Sequence, residues 1–136
     1  MEYQFKVHGD LPPKKDGAHS MWGKPREAIR LEKLRTAANS TLKGNPPLSQ
    51  NIRLSIQVHI GPINEKFTGD LDNFITGICD GLMAAHPNSN KDSLWDRYIG
   101  SPIHPDNSLA IVDDSQVISI MAEKIIEHIN QPWYKI

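Results

Sequence analysis

Apolar residues recur along the chain in two rhythms. Ile52, Leu54, Ile56, Val58 and Ile60 alternate strictly with other residues, the period of a strand with one buried face. That run stops at Gly61-Pro62. A shorter version spans Glu2 to His8, with Tyr3, Phe5 and Val7 on one side. From Arg26 to Leu42 the spacing changes to three and four, through Ala28, Ile29, Leu31, Leu34, Ala37, Ala38 and Leu42. This predicts an amphipathic helix, with Pro25 suited to its first turn and Gly44 and Pro46-Pro47 to its end. A second helix is predicted after Asp70, where Leu71, Phe74, Ile75, Ile78, Cys79, Leu82 and Met83 make one stripe that would dock on the sheet.

The remaining segments are shorter or mixed. Gly9 to Lys24 holds Pro12-Pro13 and three glycines and reads as a loop. Leu109 to Val112 reads as a short extended piece. Val117 to Ile126 alternates at Ile118, Ile120 and Ala122, a strand by period, although the same letters allow a helix. Trp133 to Ile136 is expected as a last edge strand. Residues 86–108, His86 to Ser108, form an inserted loop rich in Asn, Pro, Ser and Asp, with Trp95, Tyr98 and Ile99 embedded. Loops beyond ~15 residues tend to be functional or mobile. Trp95 is read as an anchor pinning that loop, with stacking on a base as the alternative. Together these elements predict one α/β (α+β) domain over residues 1–136, a small mixed sheet with two main helices packed on it.

Composition narrows the class. With 136 residues there is room for one core, and 38% hydrophobic with 23% charged residues is ordinary for a globular protein. No apolar run approaches the ~20 residues that cross a bilayer. The start, Met1 to Lys6, lacks the basic-then-apolar pattern of a secretion signal. The lone Cys79 has no partner for an internal disulfide and is read as a small buried hydrophobe. A cytoplasmic location is therefore expected. The net charge of −1 does not advertise nucleic-acid binding. Positive charge is uneven, though: Lys14, Lys15, Lys24, Arg26, Arg30, Lys33, Arg35 and Lys43 fall in the first third, against Glu2, Asp10, Asp16, Glu27 and Glu32. Those letters fit either a basic face or a solvated helix surface.

Chemistry concentrates in acids. Gly69-Asp70-Leu71-Asp72-Asn73 lies where a loop meets the second helix, and Asp113-Asp114 lies just before a strand. Two carboxylates at a helix start can turn toward one point. If the 109–114 segment runs beside that helix, a third can join them at its N-terminus. Carboxylate oxygens with open positions suit Mg²⁺, which keeps several waters and takes a phosphate oxygen readily. Asn73 adds an amide oxygen. The structural alternative is that Asp at a helix start is a cap worth ~1 kcal/mol and that paired acids occur in ordinary turns.

The joint order of three motifs adds to this. Asp70-Leu71-Asp72-Asn73-Phe74, then Cys79-Asp80-Gly81-Leu82, then Val112-Asp113-Asp114-Ser115-Gln116-Val117 resembles the signature of the RusA family of Holliday junction resolvases. Leu11-Pro12-Pro13 fits the family's exit from its N-terminal strand. The resemblance implies a RusA-like fold, a homodimer, and cleavage of Holliday junctions or other branched DNA with Mg²⁺ (Mn²⁺ in its place). It places the catalytic and metal-binding aspartates on Asp70, Asp72 and Asp114, with Asp113 as a further or outer ligand. Asp80, ~12 Å up the helix from Asp72, is expected to be structural or near DNA rather than a ligand. Lys14, Lys15, Lys24, Arg26 and Asn73 are the expected DNA contacts. Where family members carry a lysine four residues after the second aspartate, this chain has Thr76. Lys14, Lys15 and Lys66 are the candidates to replace it.

Other chemistries lack their motifs. The histidines, His8, His19, His59, His86, His104 and His128, show no H-E-x-x-H spacing, and G-x-S-x-G, Walker and G-x-G-x-x-G sequences do not occur. His59 is expected on the exposed side of its strand. Three rivals to a junction endonuclease stand: another metal-dependent phosphoesterase, a member that binds branched DNA or a protein without cutting, and a structural interaction protein with capped helices, which expects the three aspartates to lie apart.

Overall fold

The structure, a computed structural model, describes residues 2–15, 20–61 and 70–136. Asp16, His19, Pro62, Lys66, Thr68 and Gly69 lie outside the described residues. Four strands form the sheet: β1 (Lys6–His8), β2 (Ile52–Ile60), β3 (Val117–Ile126) and β4 (Trp133–Lys135), in the order β1-β4-β2-β3. β2 and β3 run parallel, from Ile52 beside Val117 to Ile60 beside Ile126, while β4 is antiparallel to both its neighbours. The sheet is therefore mixed, and with two main helices the chain is a small single-domain α+β fold.

Alternation at 117–126 resolves as a strand, because that run pairs along its whole length with β2. The strand expected from Glu2 to His8 keeps only Lys6–His8, with Phe5 and Ile136 exchanging a further pair of backbone bonds. β4 is not an edge. Trp133 pairs His59 on one side and His8 on the other, so the short C-terminal strand fills the gap between β1 and β2. That placement also buries His59, expected to be exposed. Its ring lies flat on Trp133, centroids 3.7 Å apart, and Nδ1 sits 2.8 Å from a Glu127 carboxylate oxygen.

The two helices, α1 (Pro25–Leu42) and α2 (Leu71–Gly81), sit on one face of the sheet. Pro25 opens α1, where its missing N–H costs nothing. Lys43 closes it in the left-handed region, its N–H donating to the Asn39 carbonyl. Leu34, Ala38 and Leu42 from α1 meet Phe74, Ile78, Cys79 and Leu82 from the second helical stripe over Leu54, Ile56, Val58 and Ile60. Cys79 is buried there, as the stripe predicts. Ile29 departs from the predicted stripe and is exposed, whereas Glu27, Arg30 and Arg35 are buried.

The 86–108 segment is not a loose loop. It carries a 3-10 helix, Ser93–Tyr98, started by the Asp92 carboxylate accepting the Leu94 N–H. Trp95 is 1% exposed and packs with Met21, Trp22, Ala28, Leu31, Ala85 and Ile103 in a second apolar cluster. Its indole N–H donates to the Trp22 carbonyl. Trp95 is thus the anchor and offers no face to a base. Arg35, wholly buried, ties the segment down by donating to the carbonyls of Gly81, Met83, Ile103, His104 and Asn107. Burial without a counter-charge lowers its guanidinium to a pKa of about 10. Among the described residues no helix is long and apolar enough to cross a membrane.

Candidate metal and nucleic-acid site

The acidic turn before β3 is built by its glutamine. Asp113 accepts the Ser115 N–H, and the Gln116 side-chain oxygen accepts the N–H groups of Val112 and Asp113. This is a reciprocal cap around the 3-10 turn Asp114–Gln116. The Gln116 amide then donates to the carbonyls of Leu48 and Gln50, fastening the turn to the approach of β2. Asp113, a candidate ligand, is thereby engaged as a cap, and Asp114 is left exposed beside it.

The two carboxyls share a hydrogen bond, which divides their acidity. Bonds from Ser115, with the Asp114 contact next, hold Asp113 below the usual carboxylate range. The Asp113 hydrogen bond, followed by partial burial and the charges of Asp113 and Asp80, raises Asp114. Asp80 is near because the preceding segment clasps the end of α2: the N–H groups of Leu109, Ala110 and Ile111 all point at the Leu82 carbonyl. Burial, then the charges of Asp80 and Asp114, pushes the Cys79 thiol up to about 11. Among the described residues no ion pair reaches Asp113 or Asp114. Asp80 itself is held by Lys15 at 2.9 Å.

Asp70 and Asp72 belong to the other end of α2. Asp70 stands at the N-cap with extended backbone, but its side chain makes no cap bond and is exposed. Asp72 is exposed in the first turn and accepts the Asn73 N–H. Thr76, in the lysine's place, donates its hydroxyl to the Asp72 carbonyl and brings no charge. At ~1.5 Å per residue, Asp70 and Asp80 are separated by about 15 Å of helix.

The expected meeting at the helix N-terminus therefore does not form. β2 and β3 are parallel, so α2 must run back between them. Its first turn lies toward the far end of the sheet, and the turn that opens β3 lies by its last. Asp113 and Asp80 lie near enough to Asp114 for their charges to raise it, while Asp70 and Asp72 stand at the start of α2. Among the described residues no three His, Cys, Asp or Glu side chains are gathered so as to hold a metal ion. Carboxylate oxygens are the donor chemistry that suits Mg²⁺ or Mn²⁺.

The expected basic face is also thinner than its letters. Arg30 is bonded to Asp10 and Glu27, Lys33 to Asp10 and Lys15 to Asp80, while Arg35 is internal. Lys14, Lys24 and Arg26 make no ion pair among the described residues. They cluster about the start of α1, where the Lys14 N–H donates to Glu27. Asn73 packs against this segment through its backbone carbonyl, which accepts the Lys15 N–H. A cleft of about 380 Å³ opens beside the Lys15–Asp80 pair, lined also by Trp22, Met83, His86 and Ser89. Nothing in the sequence marked the Lys15–Asp80 link, which spans two distant segments.

Comparison with protein-family models, with curated proteins and with solved structures returns no match.

Proposed function

We propose that the chain acts on branched DNA as a metal-dependent endonuclease of the Holliday junction resolvase type, working as a homodimer. The reading rests on the order of the three acidic motifs and on one observation: Asp114 is exposed, raised by Asp113 and Asp80, and without a cationic partner among the described residues. Carboxylates left repelling one another at the surface form a place where added positive charge is favourable. Mg²⁺ or Mn²⁺, when bound, supplies charge neutralisation and an activated water for phosphodiester hydrolysis. Lys14, Lys24 and Arg26 would hold backbone phosphates without reading sequence.

A second reading has its own support. With Asp70 and Asp72 apart from Asp114, and Thr76 uncharged, a member that binds branched DNA or a protein without cutting fits the geometry as it stands. Incubating the protein with a four-way junction, linear duplex and mononucleotides, with Mg²⁺ or excess chelator, separates the readings. Junction cleavage that needs the metal, falls with salt and vanishes in Asp114→Asn is the expected result. Junction binding with no cleavage supports the second reading. Mononucleotide hydrolysis alone makes the protein another phosphoesterase, and cleavage in excess chelator defeats the proposal.

A further inference from the structure

On the face of the sheet away from the two helices, the strand registers set side chains in rows. One row holds His8, Trp133, His59 and Ile125, from β1, β4, β2 and β3 in turn. The next holds Lys6, Lys135, Gln57 and Glu123. Residues two apart along a strand place these rows ~6.8 Å from one another. The rings of the first row stand in one stack. His59 lies on Trp133 with centroids 3.7 Å apart and planes 6° from parallel, and His8 stacks from the β1 side at 5.7 Å and 24°. His59 closes its end of the stack, buried and bonded to Glu127. His8 is exposed on the edge strand, with no strand beyond it among the described residues. The stack is therefore open at His8.

In the second row Lys6 and Lys135 stand directly opposite each other. Like charges so placed are destabilising, and an anion between them removes the repulsion. No carboxylate among the described residues supplies it. Glu123, in the same row, accepts from the Gln57 amide, and Glu127 is taken by His59. Lys6 leans over the Trp133 ring, 5.4 Å from its centre. Neither Lys6 nor Lys135 makes an ion pair among the described residues, and nor does Arg53, farther along the same face. Two unmatched cations one row from an open ring stack fit a ligand in which a phosphate and a flat ring are joined through a sugar. We infer that this face binds single-stranded DNA, with a backbone phosphate between Lys6 and Lys135 and an unpaired base laid on His8 as the next ring of the stack. Stacking of this kind accepts any base and needs its flat face free, which a duplex does not offer. The inference does not rest on cleavage or on a bound metal.

The test uses the full chain in excess chelator, with a short fluorescein-labelled oligothymidylate followed by anisotropy through a salt series. Binding is expected at low salt. Lys6→Gln and Lys135→Gln are each expected to lower the slope of log affinity against log salt by about 0.7, the value of one single-strand phosphate contact. His8→Ala is expected to weaken binding on the order of tenfold with the slope kept, as the loss of one base stack does, and His8→Tyr, which keeps a ring, to bind at least as tightly as the wild type. Polyphosphate, which has no bases, is expected to respond to the lysine changes and not to His8→Ala. Absence of oligothymidylate binding at low salt overturns the inference, as does a duplex of the same length that binds as tightly. So do lysine variants that keep the wild-type slope, or a His8→Ala variant that weakens polyphosphate as much as the oligonucleotide. Circular dichroism checks each variant, and if Lys135→Gln does not fold, Lys6→Gln, at an exposed position, decides the phosphate contact.

Discussion

Lys15 and Asp80 meet at 2.9 Å, joining the segment ahead of α1 to the last turn of α2. Lys15 is 40% exposed at its side chain, so the pair adds at most ~1 kcal/mol to stability. Its consequence is for binding. A lysine already paired releases few counterions when it approaches a phosphate. Lys15→Met is accordingly expected to change junction affinity little. Asp80→Asn frees the ammonium and is expected to tighten binding and steepen the dependence of log affinity on log salt by roughly 0.9, the value of one phosphate contact. Junction binding measured between low and moderate salt checks both signs.

Gly77 sits in the middle of α2, where alanine is ordinarily better by ~1 kcal/mol. Here the sign reverses. A Cβ on Gly77 would lie 2.0 Å from the Pro13 carbonyl oxygen, a backbone atom that cannot swing aside. Gly77→Ala must push the Leu11–Lys15 segment off α2, and with it the Lys15 contacts to Asn73 and Asp80. A loss of about 1–3 kcal/mol is expected in urea unfolding, the usual cost of overpacking. A neutral or stabilised variant would show that the segment is not docked there.

Arg35 fixes the 86–108 segment through main-chain carbonyls alone, and its guanidinium lies 5.3 Å from the Trp22 ring centre. A lysine keeps the charge but lacks the planar fork that reaches all of these acceptors. Each buried carbonyl left unpaired costs about 1–3 kcal/mol, so Arg35→Lys is expected to lose on the order of 3 kcal/mol or more. Thermal unfolding gives the loss. Amide exchange is expected to rise first in residues 81–107, which hold the freed carbonyls of Gly81, Met83, Ile103, His104 and Asn107.

Periodicity carried the elements that run long. The alternation of Ile52 to Ile60 and the stripe from Leu71 to Leu82 are read correctly because each buries one continuous face. What it could not carry is which strand neighbours which. β4 has three residues, too few for a period to say edge or interior, and His59 went with it, since Trp133 arriving alongside lies flat on that ring. Arg35 looks like a surface cation by letter and spacing. Its burial depends on carbonyls contributed from residues 81–107. The acidic residues are subject to the same limit. Asp70, Asp72 and Asp114 are close in pattern, but the direction of α2 between two parallel strands decides their distance.

Asp114 and Asp113 give the site a signature in pH. Asp114 is raised in the folded state, so its contribution to stability is full below the ordinary carboxylate range and is lost as pH climbs through the raised value. Asp113 is lowered, so its contribution is present above the ordinary range and lost only as pH falls toward its depressed value. At neutral pH the first is spent and the second intact. Asp114→Asn, which keeps a hydrogen-bonding side chain and removes the repelled charge, is expected to be more stable than the wild type at pH 7 and to converge with it at pH 3–4. Asp113→Asn is expected to lose stability at pH 7. Millimolar Mg²⁺ is expected to stabilise the wild type at pH 7 and to do less for Asp114→Asn, because binding to the folded state raises stability in proportion to RT ln(1 + [L]/Kd). Urea midpoints from pH 3 to 7, with and without the ion, read all of these. Equal Mg²⁺ responses in the wild type and Asp114→Asn would mean that Asp114 is not where the cation acts.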